Sequence, residues 1–251
     1  DLAEDWFPIG EEVAGAPTVD LTDFDPDAEV KLVASALYPM TNRSDREVES
    51  RVRSMTVDER LTVLRAMVGE RTNRRHRPGR ALERPSYRFD VLSDYGAFRD
   101  LQRHRMMTID WQRLSPDHGY VRPPEIEEAG LGDKFDSAME RSRDLHDALL
   151  EPFPDQAPYA VSLAYRVRYL MHMNAREAMH VIELRTAPQG HPAYRRVCQK
   201  MHRLIADQAG HKAIAEAMSF VDHSEVELER LESERENARR RTISKESAGN
   251  S

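Results

Sequence analysis

Apolar residues along this chain recur mostly three and four positions apart, with two short runs that alternate instead, so the pattern predicts a helix-rich protein with little sheet. The stretch from Glu11 to Asp20 is acidic and reads as turns. A first helix opens at Asp25-Pro26, where proline's missing amide costs nothing, and buries Val30, Val33, Ala34 and Leu37 before Pro39 ends it. Ser44 with Glu47, and Thr56 with Glu59, have the spacing of capping boxes and start two more helices. The second of these carries Leu61, Leu64, Met67 and Val68 on its inner side.

Tyr87 to Leu92 alternates as a half-buried strand, and Asp94 is placed to cap a short helix from Tyr95 to Gln102. A proline-rich loop follows near Ser115 to Pro124. A helical region then runs from Glu125 to about Leu149, with Gly130-Leu131-Gly132 as the point where it could break and Phe135, Ala138, Met139 and Leu145 inward. Tyr159 to Tyr165, with Val161 and Leu163 alternating, reads as the second strand. Helices are expected from Asn174 to Arg185, from Tyr194 to Ala206 and from His211 to Phe220. The glutamate- and arginine-rich stretch from Glu225 to Arg241 reads as a solvated helix, and Thr242 to Ser251 as disordered. No linker divides the chain. It reads as one domain in three parts: helical residues 1–70, a core over 71–222 and a charged end over 223–251.

Composition narrows the classes. The 251 residues, 39% of them hydrophobic, suffice for a sizeable core, and nothing approaches a membrane span. A formal charge of −7 argues against holding nucleic acid by bulk attraction. The basic run Arg71 to Arg84 keeps that as a rival, although it lacks interleaved aromatics on which bases would stack. The single cysteine, Cys198, excludes an internal disulfide, fits a reducing, cytoplasmic setting and reads as a packed residue. The ten histidines show no metal-ligand spacing along the chain. The chain starts without methionine or a signal-like segment, and a fragment of a longer or duplicated protein is expected.

Two clusters carry candidate chemistry. One is Arg103-His104-Arg105, following Phe98 to Gln102; the other is Asn174-Ala175-Arg176 through His180 to Glu183-Leu184-Arg185. At helical spacing Arg176, His180 and Arg185 can face one groove, and guanidinium forks suit phosphate or a nucleotide base. Together the clusters suggest one phosphorylated small molecule.

From about Arg75 to about Ile205, these two motifs in order resemble the flavin-dependent thymidylate synthases, the ThyX family. The resemblance implies an α+β fold with a small antiparallel sheet flanked by helices. It implies transfer of a one-carbon unit from methylenetetrahydrofolate to dUMP, with FAD as cofactor and NAD(P)H as reductant, in a homotetramer with shared sites. By that resemblance Arg103, His104, Arg105, Asn174, Arg176 and His180 hold the flavin, with Arg84 near the place of a flavin-side histidine. Arg185 contacts the nucleotide. Asp100 stands where the family has glutamine, Arg113 falls on the signature serine with Ser115 two residues late, and Asp110-Trp111 replaces an asparagine-glutamate pair. The family's arginine-tyrosine pair falls on Ser115-Pro116, and a further substrate arginine falls on Gln156-Ala157-Pro158, for which Arg166 or Arg168 could substitute. These departures open a second reading, a catalytically degenerate half of the fold that binds a nucleotide or completes an assembly.

Overall fold

A computed structural model describes residues 18–224. Strands β1 (Thr18–Phe24), β2 (Ser86–Asp94), β3 (Thr108–Trp111) and β4 (Arg166–Asn174) form an antiparallel sheet in the order β1-β2-β4-β3. Helices α1 (Ala28–Leu37), α2 (Asp45–Arg53) and α3 (Val57–Val68) lie between β1 and β2, and α4 (Tyr95–Leu101) follows β2. Helices α5 (Pro124–Glu128) and α6 (Gly132–Leu150) lie between β3 and β4, and α7 (Ala175–Arg185), α8 (Pro192–Asp207) and α9 (Lys212–Ala217) complete the described chain.

The central pairing is β2 against β4, in unbroken register from Ser86 opposite Asn174 to Asp94 opposite Arg166. Side chains alternate across a strand, so one face collects Tyr87, Phe89 and Val91 with Val167, Tyr169, Met171 and Met173, all buried. Onto that core pack Leu32 and Val33 of α1, Val181 and Ile182 of α7, and Val197, Met201 and Ile205 of α8. Val52 and Leu64 belong to the same core, so the N-terminal helices are packed with the sheet. The opposite face carries Arg88, Asp90, Arg168 and His172 and is polar or half-exposed.

Local signals act as expected where side chain meets backbone. Ser44 with Glu47 and Thr56 with Glu59 form complete capping boxes, and Asp94 accepts from the Ala97 amide at 2.8 Å. The break between α5 and α6 falls at Gly130, whose φ of 65° lies in the left-handed region that favours glycine.

The strand assignments need correction. The expected strand Tyr159 to Tyr165 is a 3-10 turn, Ala157–Ala160, followed by irregular chain, and Leu163 is 58% exposed. Val161 instead packs with Met139 and Tyr165 in a small second cluster. The true strand, β4, was masked by Arg166, Arg168 and His172 on its polar face, while Met171 and Met173 lie on its buried face. β1 occupies the end of the stretch read as turns, and β3 lies within Met106 to Trp111, where a four-residue edge strand leaves little periodicity. Leu145 of α6 is 53% exposed, not inward, because only the Met139 and His146 side of that helix is covered. The expected helix from Glu225 and the tail from Thr242 lie outside the described residues.

Candidate functional site

Two helix ends make the site. Helix α4 ends at Leu101, and the chain turns there, with the His104 amide donating to the Leu101 carbonyl at 3.2 Å. Helix α7 starts directly from β4, its first turn capped by Asn174, whose Oδ1 accepts from the Glu177 amide at 2.9 Å. Its rotation is fixed from behind by Glu183, which receives Arg71 Nη1 at 2.6 Å and Nη2 at 2.7 Å. With Glu183 inward, Glu177, His180, Leu184 and Arg185 are turned toward the end of α4. Between them lies a cleft of about 470 Å³ lined by Arg103, His104, His180, Leu184, Arg185, Gln189, Gly190 and Tyr194. Its size is that of a small-molecule site.

Arg185 is the most constrained cation there. Its Nε donates to His104 Nε2 at 3.0 Å, Nη1 to Asp100 Oδ1 at 3.2 Å and Nη2 to the Asp100 carbonyl at 2.5 Å, while the Tyr194 ring centroid lies 5.3 Å from the guanidinium carbon. Guanidinium cannot accept a hydrogen bond, so His104 Nε2 is unprotonated and Nδ1 carries the proton. Nδ1 faces Glu177 Oε1 at 3.6 Å. The edge of the His180 ring meets His104, with centroids 5.5 Å apart. Burial lowers the pKa of His180 from its ordinary value, against an opposing pull from Glu177, while the positive charge of Arg74 adds to the lowering.

The far wall is the loop into α8. Gly190 donates to the Ala187 carbonyl at 2.8 Å, and a Cβ on it would lie 2.8 Å from the Tyr194 ring and 3.0 Å from the Ala187 carbonyl oxygen. This glycine lets the loop close tightly. It brings the start of the 16-residue helix α8, with its positive dipole end, to the cleft.

The expected site residues do not all gather there. His104, His180 and Arg185 do, as does Arg103, which is 75% exposed and 3.9 Å from Asp100. Asp100 sits behind Arg185 rather than pairing mainly with Arg103, and Glu183 engages Arg71, not Arg185. Arg105 is exposed beside the cleft's rim residues. Arg176 donates to Glu83 at 2.8 Å, and Arg84 lies 3.6 Å from both Asp45 and Glu49. Asn174 is occupied as a helix cap. Arg113 lies 3.9 Å from Asp155, and Ser115 accepts from the Asp117 amide, so neither lines the cleft. Gln189, Gly190, Tyr194 and Glu177 were not anticipated. The compact Ala187 to Pro192 turn before a helix was the available signal for the first three. Cys198 is fully buried and burial pushes its thiol up to about 12, as befits a packing residue.

Residues 20–211 match the family described as thymidylate synthase complementing protein. The chain belongs to that family. It is 37% identical over 227 residues to a UPF0159 protein of Chlamydia pneumoniae, covering 90% of this chain and 42% of the relative. A UPF0159 protein of Thermoplasma acidophilum is 34% identical over 206 residues, covering 81% of this chain and 41% of that one. The chain thus spans about two fifths of the length of these curated relatives. Among solved structures, the UMP/dUMP methylase PolB of Streptomyces cacaoi bound with 5-Br dUMP superposes with a TM-score of 0.62 at 18% identity, over 82% of this chain and 96% of that one. The same methylase bound with 5-Br UMP gives 0.57 at 20% identity, over 83% and 97%. At that identity the likeness establishes the fold: a small antiparallel sheet flanked by helices, α+β in class. No helix among the described residues is long and apolar enough to cross a membrane.

Proposed function

We propose that this chain is a nucleotide-binding domain of its family, whose cleft takes a pyrimidine nucleoside monophosphate without carrying a complete flavin site of its own. The observation that carries this is Arg185, 15% exposed at the cleft wall and fixed by Asp100 and His104, with guanidinium donors left over for an anion. Arg103 is free to swing onto the same phosphate, and the start of α8 adds its positive end. Tyr194 offers a ring face to the base, and Gln189 offers an amide able to pair with a pyrimidine carbonyl or imide. That the structurally similar methylase is described bound to 5-Br dUMP supports the choice of nucleotide.

FAD fits these residues poorly. Of the groups that the resemblance assigns to flavin, Arg176 and Arg84 face carboxylates of this chain and Asn174 caps α7. Gathering them around a dinucleotide would break those contacts. One-carbon transfer from methylenetetrahydrofolate with NAD(P)H therefore needs flavin-holding groups from the additional length present in the relatives. Self-association is part of the proposal, with exposed Trp111 on the edge strand β3 and nearby Met106 as the apolar surface for it; light scattering on the purified protein measures this, and a monomer at micromolar concentration counts against it.

Calorimetric titration separates the readings. dUMP should bind the protein alone, and FAD should give no saturable heat. Arg185→Ala removes a charge-assisted contact worth about 1.5 to 3 kcal/mol, or roughly ten to a hundredfold in affinity. Saturable FAD binding with no dUMP binding would reject the proposal.

A further inference from the structure

We propose that His104, Glu177 and His180 form a divalent transition-metal site at the inner wall of the cleft. Glu177 and His180 stand three residues apart on α7, which sets them on one side of the helix, and His104 approaches from the turn after α4. One ligand atom from each lies within 4.8 Å of the other two. The tightest pair, His104 Nδ1 and Glu177 Oε1, is 3.6 Å apart. Donors around a four-coordinate ion with bonds of about 2.0 to 2.1 Å stand roughly 3.4 Å apart, so that pair is already at coordination spacing. The third donor sits on His180, whose side chain is exposed and so has room to adjust. Two imidazoles and a carboxylate are the donor set of zinc and non-haem iron sites with open positions. Here the two inner ligands are 6% and 11% exposed, while His180 lines the cleft, so an ion held there would be reached from the cleft.

The site also acts on Arg185. An ion on Nδ1 takes the nitrogen that now carries the imidazole proton, and that proton moves to Nε2 with none released. Nε2 then cannot accept from Arg185 Nε, whose donor is freed beside the cleft. Occupancy by metal and the Arg185–His104 hydrogen bond exclude one another. Only the consequence for nucleotide affinity rests on the proposed nucleotide site; binding of the ion does not.

The test uses the full chain, stripped with EDTA and titrated with Zn²⁺ and with Co²⁺, the latter followed by its visible spectrum. One equivalent is expected, with a spectrum of low-coordinate nitrogen and oxygen ligation. His180→Asn and Glu177→Gln, each checked for unchanged circular dichroism, should weaken it about tenfold or more, and Arg185→Ala should retain it. The rival histidine pair, His202 and His223, has ring nitrogens 2.9 Å apart on another surface. His202→Gln should therefore leave binding unchanged. Absence of stoichiometric binding, binding that survives both His180→Asn and Glu177→Gln, or loss of binding in His202→Gln or Arg185→Ala overturns the proposal.

Discussion

Replacing Glu183 by alanine should destabilise this protein more than almost any other single change on α7. The Glu183 and Arg71 side chains are 1% and 4% exposed, and both carboxylate oxygens are taken by Arg71. Without Glu183, the arginine keeps only uncharged partners, the carbonyls of Arg74, His76 and Ala217 and the Phe220 ring 5.1 Å away, and the Phe220 amide loses its acceptor. At an effective dielectric constant of about 20, two unit charges about 4 Å apart attract by about 4 kcal/mol. Removing one partner of a buried pair costs about 3 to 5 kcal/mol, which agrees. For a chain of this size each kcal/mol lowers Tm by about 2 to 4 °C, so the variant should melt roughly 6 to 20 °C lower. Urea unfolding followed by circular dichroism, with thermal melts, gives the number. The double variant Arg71→Met with Glu183→Leu should recover most of the loss, since no charge is then stranded. A Glu183→Ala protein within about 1 kcal/mol of the parent would refute the claim that this pair fixes the rotation of α7.

Asp100→Asn should tighten dUMP binding several-fold by calorimetry, because the Asp100 carboxylate 3.2 Å from Arg185 competes with phosphate for the same guanidinium; weaker binding would show that Asp100 holds Arg185 in place for the ligand instead. Gly190→Ala should weaken the same binding and cost about 1 to 3 kcal/mol in urea, since the added methyl lands 2.8 Å from Tyr194; an unchanged protein would mean that the loop yields freely. His211 is buried, its Nδ1 is 3.0 Å from the Tyr87 hydroxyl, and burial holds its pKa below the ordinary value against the pull of Glu29 and Asp25. The unfolded chain therefore binds the proton first, so stability should fall as pH drops below about 6.5 and level off once the folded pKa is passed. His211→Asn, which keeps an acceptor for Tyr87, should flatten that slope, and a slope identical to the parent's would assign it to other groups.

Helices and caps were legible because their signals are local: Ser44, Thr56, Asp94 and Asn174 each satisfy amides within three residues of themselves. The sheet was half legible. Tyr87, Phe89 and Val91 alternate against polar neighbours, but β4 hides its alternation behind arginines that only a polar sheet face explains, and β3 is too short to show one. Within the site, the two basic clusters pointed to Arg103, His104, His180 and Arg185. Their spacing could not show that Arg176 and Arg84 would meet Glu83, Asp45 and Glu49, since those contacts depend on how α2 and the turn before β2 pack. For the same reason the His104, Glu177 and His180 triplet is invisible along the chain: two of its members share a turn of helix, and the third arrives from more than 70 positions away.

Whether the cleft between Arg185, Arg103 and Tyr194 seats a pyrimidine nucleotide, as proposed, can be seen by anomalous scattering from crystals of this protein soaked with 5-bromo-dUMP, in which bromine marks the base and the phosphate is read from the same map. The bromine peak should lie beside Tyr194 and Gln189, with the phosphate on Arg185 and Arg103 at the start of α8. A bromine peak on the polar sheet face near Arg88 and His172, or among Arg74 to Arg80, with the cleft empty, would contradict it.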